Sequence, residues 1–137
     1  VYIAYGFALA LLDRVIIDKR FDVVEAWKYG PVIPSVYHSF KHNGTNTIRD
    51  KVNIVKDELP NGEIVLETPN VEDGNIRKVL DFVWNRYREK HTSYLIKLLH
   101  QENTPWAYCY RVGQNEEIPD EMTKVYYQSI VDNALKS

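Results

Sequence analysis

The sequence predicts a mainly α-helical fold, a compact domain with one small antiparallel β-hairpin. Three observations predict it. Ile76, Val79, Leu80, Val83, Trp84 and Tyr87 fall at i, i+3, i+4, i+7, i+8 and i+11, one continuous helical stripe. Helix starts recur further along, as Thr104 followed by Pro105 and as Asp120-Glu121 behind a proline. Ahead of them the text changes once: β-branched residues flank Pro60-Asn61-Gly62, a hairpin signal. About five or six helices are expected. They form one domain over residues 1–137, because no repeat, linker or low-complexity tract divides the chain.

The first element is read from "VYIAYGFALALLDR", apolar nearly all round and so a buried helix. Gly6 inside it costs about 1 kcal/mol against alanine and predicts a close helix crossing. "VIIDKRFDVVEAW" reads as a loop with an extended piece near Phe21 to Ala26. Pro31 and Pro34 fix two φ angles, and a helix can start at Pro34. Val36, Tyr37 and Phe40 would face inward, and Gly44 would stop that helix. After the striped helix, "TSYLIKLLHQE" is capped by Thr92 or Ser93 with Leu95, Leu98 and Leu99 inward. The last helix would bury Met122, Val125, Tyr126 and Ile130.

Composition narrows the function classes. Apolar residues make up 45% and charged residues 26% of 137 residues, the balance of an ordinary globular protein. A formal charge of −2 gives no global field for nucleic acid or an anionic membrane, so nucleic acid is not an expected partner. No run of about 18 apolar residues exists, so no membrane span is expected. Cys109 is the only cysteine, which fits a reducing, cytoplasmic setting. The chain opens on a helix already under way, and residues upstream of Val1 are expected.

Chemistry-bearing constellations are sparse. His38 and His42 share a helix face but lack a third ligand, so no metal and no cofactor is expected. His100 and Glu102 could do general acid–base work if both faced a cleft, but residues two apart on a helix point apart. A His bonded to a backbone carbonyl where two helices meet is the plainer reading. Cys109, among Tyr108 and Tyr110, reads as a buried inert thiol. Arg77, Lys78, Arg86, Arg88 and Lys90 read as the wet face of the striped helix. The ten tyrosines suit protein interfaces, since each joins apolar area to a polar tip.

The order of the motifs carries more. "YIAYGFALAL", "EAWKYGPVIPSVYHSFKHNG", "LDFVWNRY", "LIKLLHQENTPW" and "IPDEMTKVYY" follow one another over nearly the whole chain. In that order they resemble the Panacea-domain family, phage-associated, SocA-like antitoxin domains. Glu25 to Tyr37 is the most specific part, and the end of the Leu98 to Trp106 stretch is the second. Leu99 stands where the family usually has Thr, and the family usually has a segment before the opening helix.

The resemblance implies a helical antitoxin domain that neutralises a co-encoded toxin by direct binding, with no catalytic residue. Delivery of the toxin to a protease is the alternative, and a His/Glu hydrolase a more distant one. The family motif and possible partner-binding residues are then Glu25, Trp27, Tyr29, Gly30, Pro31, Pro34, Tyr37, His100, Glu102 and Trp106. Trp27, Tyr29, Gly30, Pro31 and Pro34 read as a rigid corner seating a helix, scaffold first and interface second. Trp27 and Trp106 are expected to be mostly buried. Glu25 needs a donor, either a backbone N–H or His100. Candidate interface patches are the edges of Tyr29 to Tyr37 and the pair Tyr126 and Tyr127.

Overall fold

The computed structural model describes residues 1–137. Helix α1 spans Tyr2–Leu12, and strands β1 (Glu25–Trp27) and β2 (Gly30–Val32) follow. Helix α2 (Pro34–Phe40) runs into a short 3-10 turn, Lys41–Asn43. Strands β3 (Ile54–Glu58) and β4 (Ile64–Glu67) come next, then α3 (Gly74–Tyr87), α4 (Thr92–Leu99) and α5 (Pro105–Cys109). Strand β5 (Glu116–Glu117) and α6 (Asp120–Lys136) complete the chain. The mainly helical reading stands. No helix is long and apolar enough to cross a membrane.

Helix α1 is the centre of the core. Every residue from Tyr2 to Leu9 is buried, as an all-apolar helix requires. Helices α6 and α3 pack on it, and Val24, Ala26, Ile33 and Ile118 close the rest of its surface. Phe7 meets Phe82 and Tyr127 edge-on, at 5.1 and 5.0 Å between ring centroids. Gly6 is a close crossing: a Cβ there would overlap the Tyr127 ring. Tyr2 and Tyr5 bury their rings, and each finds a partner on α6. The Tyr2 hydroxyl lies 3.1 Å from Thr123 Oγ1, and the Tyr5 hydroxyl donates to Asp120 Oδ1 at 2.7 Å. Burial is the main cause that raises both phenols above their ordinary range. Arg14, just past α1, pairs with Asp73, the N-cap of α3, and so ties the end of one helix to the start of the other.

The Asn61-Gly62 hairpin is present as β3–β4, with Gly62 at φ 85° and a bulge between Val55 and Asp57. It is not the only β structure. Strands β2, β1 and β5 form a second antiparallel sheet, in the order β2-β1-β5. Its strands are two or three residues long, too short to show a period in the sequence.

Three details of the sequence reading change. Trp84 is 65% exposed, because at 100° per residue it lies about 80° round from Ile76, on the flank of the stripe. The α4 cap is His91, whose Nδ1 accepts from the Ser93 N–H, and not Thr92 or Ser93. Helix α6 turns Thr123 and Tyr127 to the core while Val125 is 54% exposed. Tyr127 is therefore not available as an interface anchor.

The Gly6 crossing is testable. The colliding atoms include Tyr127 Cγ, near the root of a ring pinned by Tyr2 and Phe7. Gly6→Ala should destabilise the domain by about 1–3 kcal/mol despite alanine's better helix propensity. Chemical denaturation measures it, and adding Tyr127→Leu should recover part of the loss.

Candidate functional site

The two most specific stretches of the sequence meet in one joint. Strands β1 and β2 pair with Glu25 opposite Val32, Ala26 opposite Pro31 and Trp27 opposite Gly30. Lys28 and Tyr29 form the loop between them. Pro31 is tolerated because β2 is an edge strand. Gly30 adopts φ 128°, open to glycine alone, and a Cβ there would sit 3.3 Å from His100 Cε1. The tight β1–β2 loop thus turns two backbone carbonyls, of Trp27 and Lys28, toward the second stretch.

That second stretch is built to receive them. His100 caps the C-terminus of α4. Its Nδ1 lies 2.6 Å from the Ile96 carbonyl oxygen and its Nε2 lies 3.3 Å from that of Lys28. Asn103 takes a left-handed conformation, and Thr104 then caps α5 by accepting from the Ala107 N–H. This turn brings Trp106 beside His100, with ring centroids 4.2 Å apart. The Trp106 indole N–H donates to the Trp27 carbonyl at 2.7 Å. Tyr110 stacks on its ring at 4.8 Å.

Glu25 and Trp27 lie on one side of β1, as residues two apart on a strand must. The donor to Glu25 is neither a backbone amide nor His100: the Trp27 indole N–H reaches Glu25 Oε2 at 2.6 Å. Tyr37 packs edge-on against Trp27 at 4.9 Å between centroids. Pro34 opens α2 as expected. Asp22 anchors that start: its carboxylate accepts from the Ser35 N–H at 3.0 Å and the Ser35 hydroxyl at 2.6 Å. Asp22 is buried, and the sequence reading missed it. The available signal was an acid inside the β-branched run "FDVVE", twelve residues before a proline-opened helix.

The burial of the tryptophans is a correction. Trp27 and Trp106 are half-buried, because each commits one edge to the joint and leaves another to the surface. Tyr29 is 74% and Tyr37 45% exposed. Glu102 is exposed and makes no bond to His100, both of whose ring nitrogens face backbone carbonyls. The hydrolase pair is therefore not assembled. His38 stacks on Tyr37, and His42 lies beside Asn43; no group of three or more His, Cys, Asp or Glu is placed to hold a metal ion. Burial pushes the Cys109 thiol up, away from thiolate, and it lies 3.6 Å from the Met122 sulfur.

The joint predicts an asymmetric mutational response. Trp106→Phe keeps most of the ring and removes the donor to Trp27. It should cost about 1–2 kcal/mol in chemical denaturation. Trp106→Ala should cost about 2–4 kcal/mol, near or below the fully buried range because half the side chain faces solvent.

Comparison with known proteins completes the picture. Residues 1–107 match the family described as "Antitoxin SocA-like, Panacea domain". The match contains both halves of the joint, β1–β2 and His100–Trp106. The chain is also 32% identical over 105 residues to a Caulobacter vibrioides protein (strain NA1000 / CB15N) described as "Antitoxin SocA". The overlap is 77% of this chain and 53% of that protein, so the chain spans about half the length of the curated relative it matches. No solved structure matches the chain. On the family match and this identity, the chain belongs to the SocA-like, Panacea-domain antitoxin family.

Proposed function

We propose that this chain neutralises a toxin encoded beside it by direct, stoichiometric protein–protein binding. The observation that carries the reading is the two-sidedness of the joint. On its inner side the backbone is locked by His100 and Trp106. On its outer side Trp27 and Tyr37 pack edge-on at the surface, and Tyr29 stands exposed on the loop that follows Trp27. Aromatic anchors on a rigid support are what protein interfaces use, since little entropy is lost when they dock. The 32% identity to a protein described as an antitoxin supports the same reading. Glu25 holds the Trp27 ring in place and so acts as a positioning residue. Gly30, Pro31 and Pro34 set the backbone path, and Glu102 stands at the rim.

The complex should bury about 1,200–2,000 Å² in total, with Tyr29 and Tyr37 near its centre. Co-expression with the adjacent toxin, paired with a pull-down, tests this. Tyr29→Ala and Tyr37→Ala should each weaken capture about tenfold or more while the fold is kept. Rescue should follow a one-to-one complex, tolerate Glu102→Ala, and leave the toxin's level unchanged. A toxin that disappears when a protease is present would assign delivery instead. Rescue by substoichiometric chain that is lost in folded Glu102→Ala would assign turnover.

A further inference from the structure

A cavity of about 490 Å³ opens between the C-terminal end of α3, helix α4 and the middle of α6. That size falls within the usual range for small-molecule sites, about 300–1,000 Å³. Its wall is apolar, formed by Leu98, Leu99 and Ile130. Its polar groups are cations and phenols. Arg86 and Lys90 line it, and so do the hydroxyl-bearing rings of Tyr87, Tyr94, Tyr126 and Tyr127. No carboxylate does.

The cations are not neutralised by the protein. Neither Arg86 nor Lys90 takes part in any ion pair. Arg86 donates from Nε to the Tyr87 hydroxyl at 3.3 Å, and the Lys90 ammonium lies 5.3 Å from the Tyr94 ring centroid. Lys19 and Lys124, by contrast, sit against Asp120 and Asp13.

Tyr127 gives an independent observation. Its side chain is 2% exposed, yet its hydroxyl bonds to no protein atom. No polar side-chain atom is sealed from solvent without a partner, so this hydroxyl meets solvent, and Tyr127 is among the residues that line the cavity. Burial pushes the Tyr127 phenol well above its ordinary range, and that of Tyr126 upward as well, which keeps both as donors.

We propose that this cavity binds a small organic anion, a carboxylate or phosphate monoester on an apolar body. Arg86 and Lys90 meet the anionic oxygens, the Tyr127 hydroxyl donates to an oxygen inside, and the leucines of α4 cover the apolar part. An acceptor-rich head answers a site lined by two cations and phenol hydroxyls and by no carboxylate. The apolar body is required because a bare anion would leave the inner wall hydrated.

Titration calorimetry on the full chain tests this with sodium octanoate and phenyl phosphate as probes. Octan-1-ol and inorganic phosphate, at matched ionic strength, are the half-molecule controls. At least one of the two probes should bind one-to-one, about tenfold or more tighter than either control. The stronger of the two identifies the head group as carboxylate or phosphate. The double variant Arg86→Gln/Lys90→Gln, changed at two exposed positions, should weaken that binding about tenfold with an unchanged circular dichroism spectrum. Tyr127→Phe should weaken it severalfold. Binding of neither probe, octan-1-ol binding as tightly as octanoate, or full affinity in the folded double variant would each overturn the proposal.

Discussion

Helix α1 has no polar face, and the rest of the fold answers that fact. A helix buried from Tyr2 to Leu9 must be covered on every side, and no one neighbour can do it. Helix α6 takes one side through Tyr127, α3 another through Val79 and Phe82, and the remainder falls to Ala26 of the β2-β1-β5 sheet with Val24 and Ile118 just beyond its strand ends. The sheet is present in this small form because it is a lid on a helix and not a core of its own. Strands of two or three residues are enough to place Ala26 against the core.

The joint between β1–β2 and His100–Trp106 is a consequence of that lid. Strand β1 buries Ala26 inward, so Glu25 and Trp27 turn to the other side, and the chain must reverse at Lys28-Tyr29. A reversal that tight exposes the carbonyls of Trp27 and Lys28 at the foot of α4 and α5. Left without donors there they would cost about 1–3 kcal/mol each if desolvated. The Trp106 indole N–H donates to the Trp27 carbonyl, and the His100 ring lies against that of Lys28. The His100 ring also sits 3.3 Å from where a Cβ at position 30 would be, and the φ of 128° there already favours glycine. What reads in the sequence as two separate signatures is one set of hydrogen bonds, seen from its two ends.

This explains which parts could be read from the residues. Periodic helices were legible because their stripes are long: α3 and α4 show their inward faces directly. The Pro34 and Thr104-Pro105 starts were legible because proline and a capping hydroxyl act locally. The β1–β2–β5 sheet was not, since its pairing partner Glu116–Glu117 lies some ninety residues away and its strands have no period. The bond from Trp27 to Glu25 was missed for a different reason. A carboxylate beside aromatics calls first for a backbone amide or a histidine, while the strand's own geometry puts an indole N–H two residues away. Asp22 escaped because its partner, Ser35, is distant in sequence and neither residue is unusual alone.

The face of α6 shows how polar atoms in a core decide register. Ranked by apolarity, Met122, Val125, Tyr126 and Ile130 should point inward, and Thr123 should not. But Tyr2 and Tyr5 carry hydroxyls into the α1–α6 contact, where each must be bonded. Only α6 offers Thr123 and Asp120 at that point. Once those two bonds form, Tyr127 falls on Gly6, where the missing Cβ leaves space for its ring. Tyr126 is then carried round toward α4, and Val125 is left in solvent. The packing of α1 thus fixes which tyrosines are spent on the core and which remain for the cavity between α3, α4 and α6. Two hydroxyls and one missing Cβ outweigh the apolar ranking, because an unmade buried hydrogen bond costs more than an exposed valine.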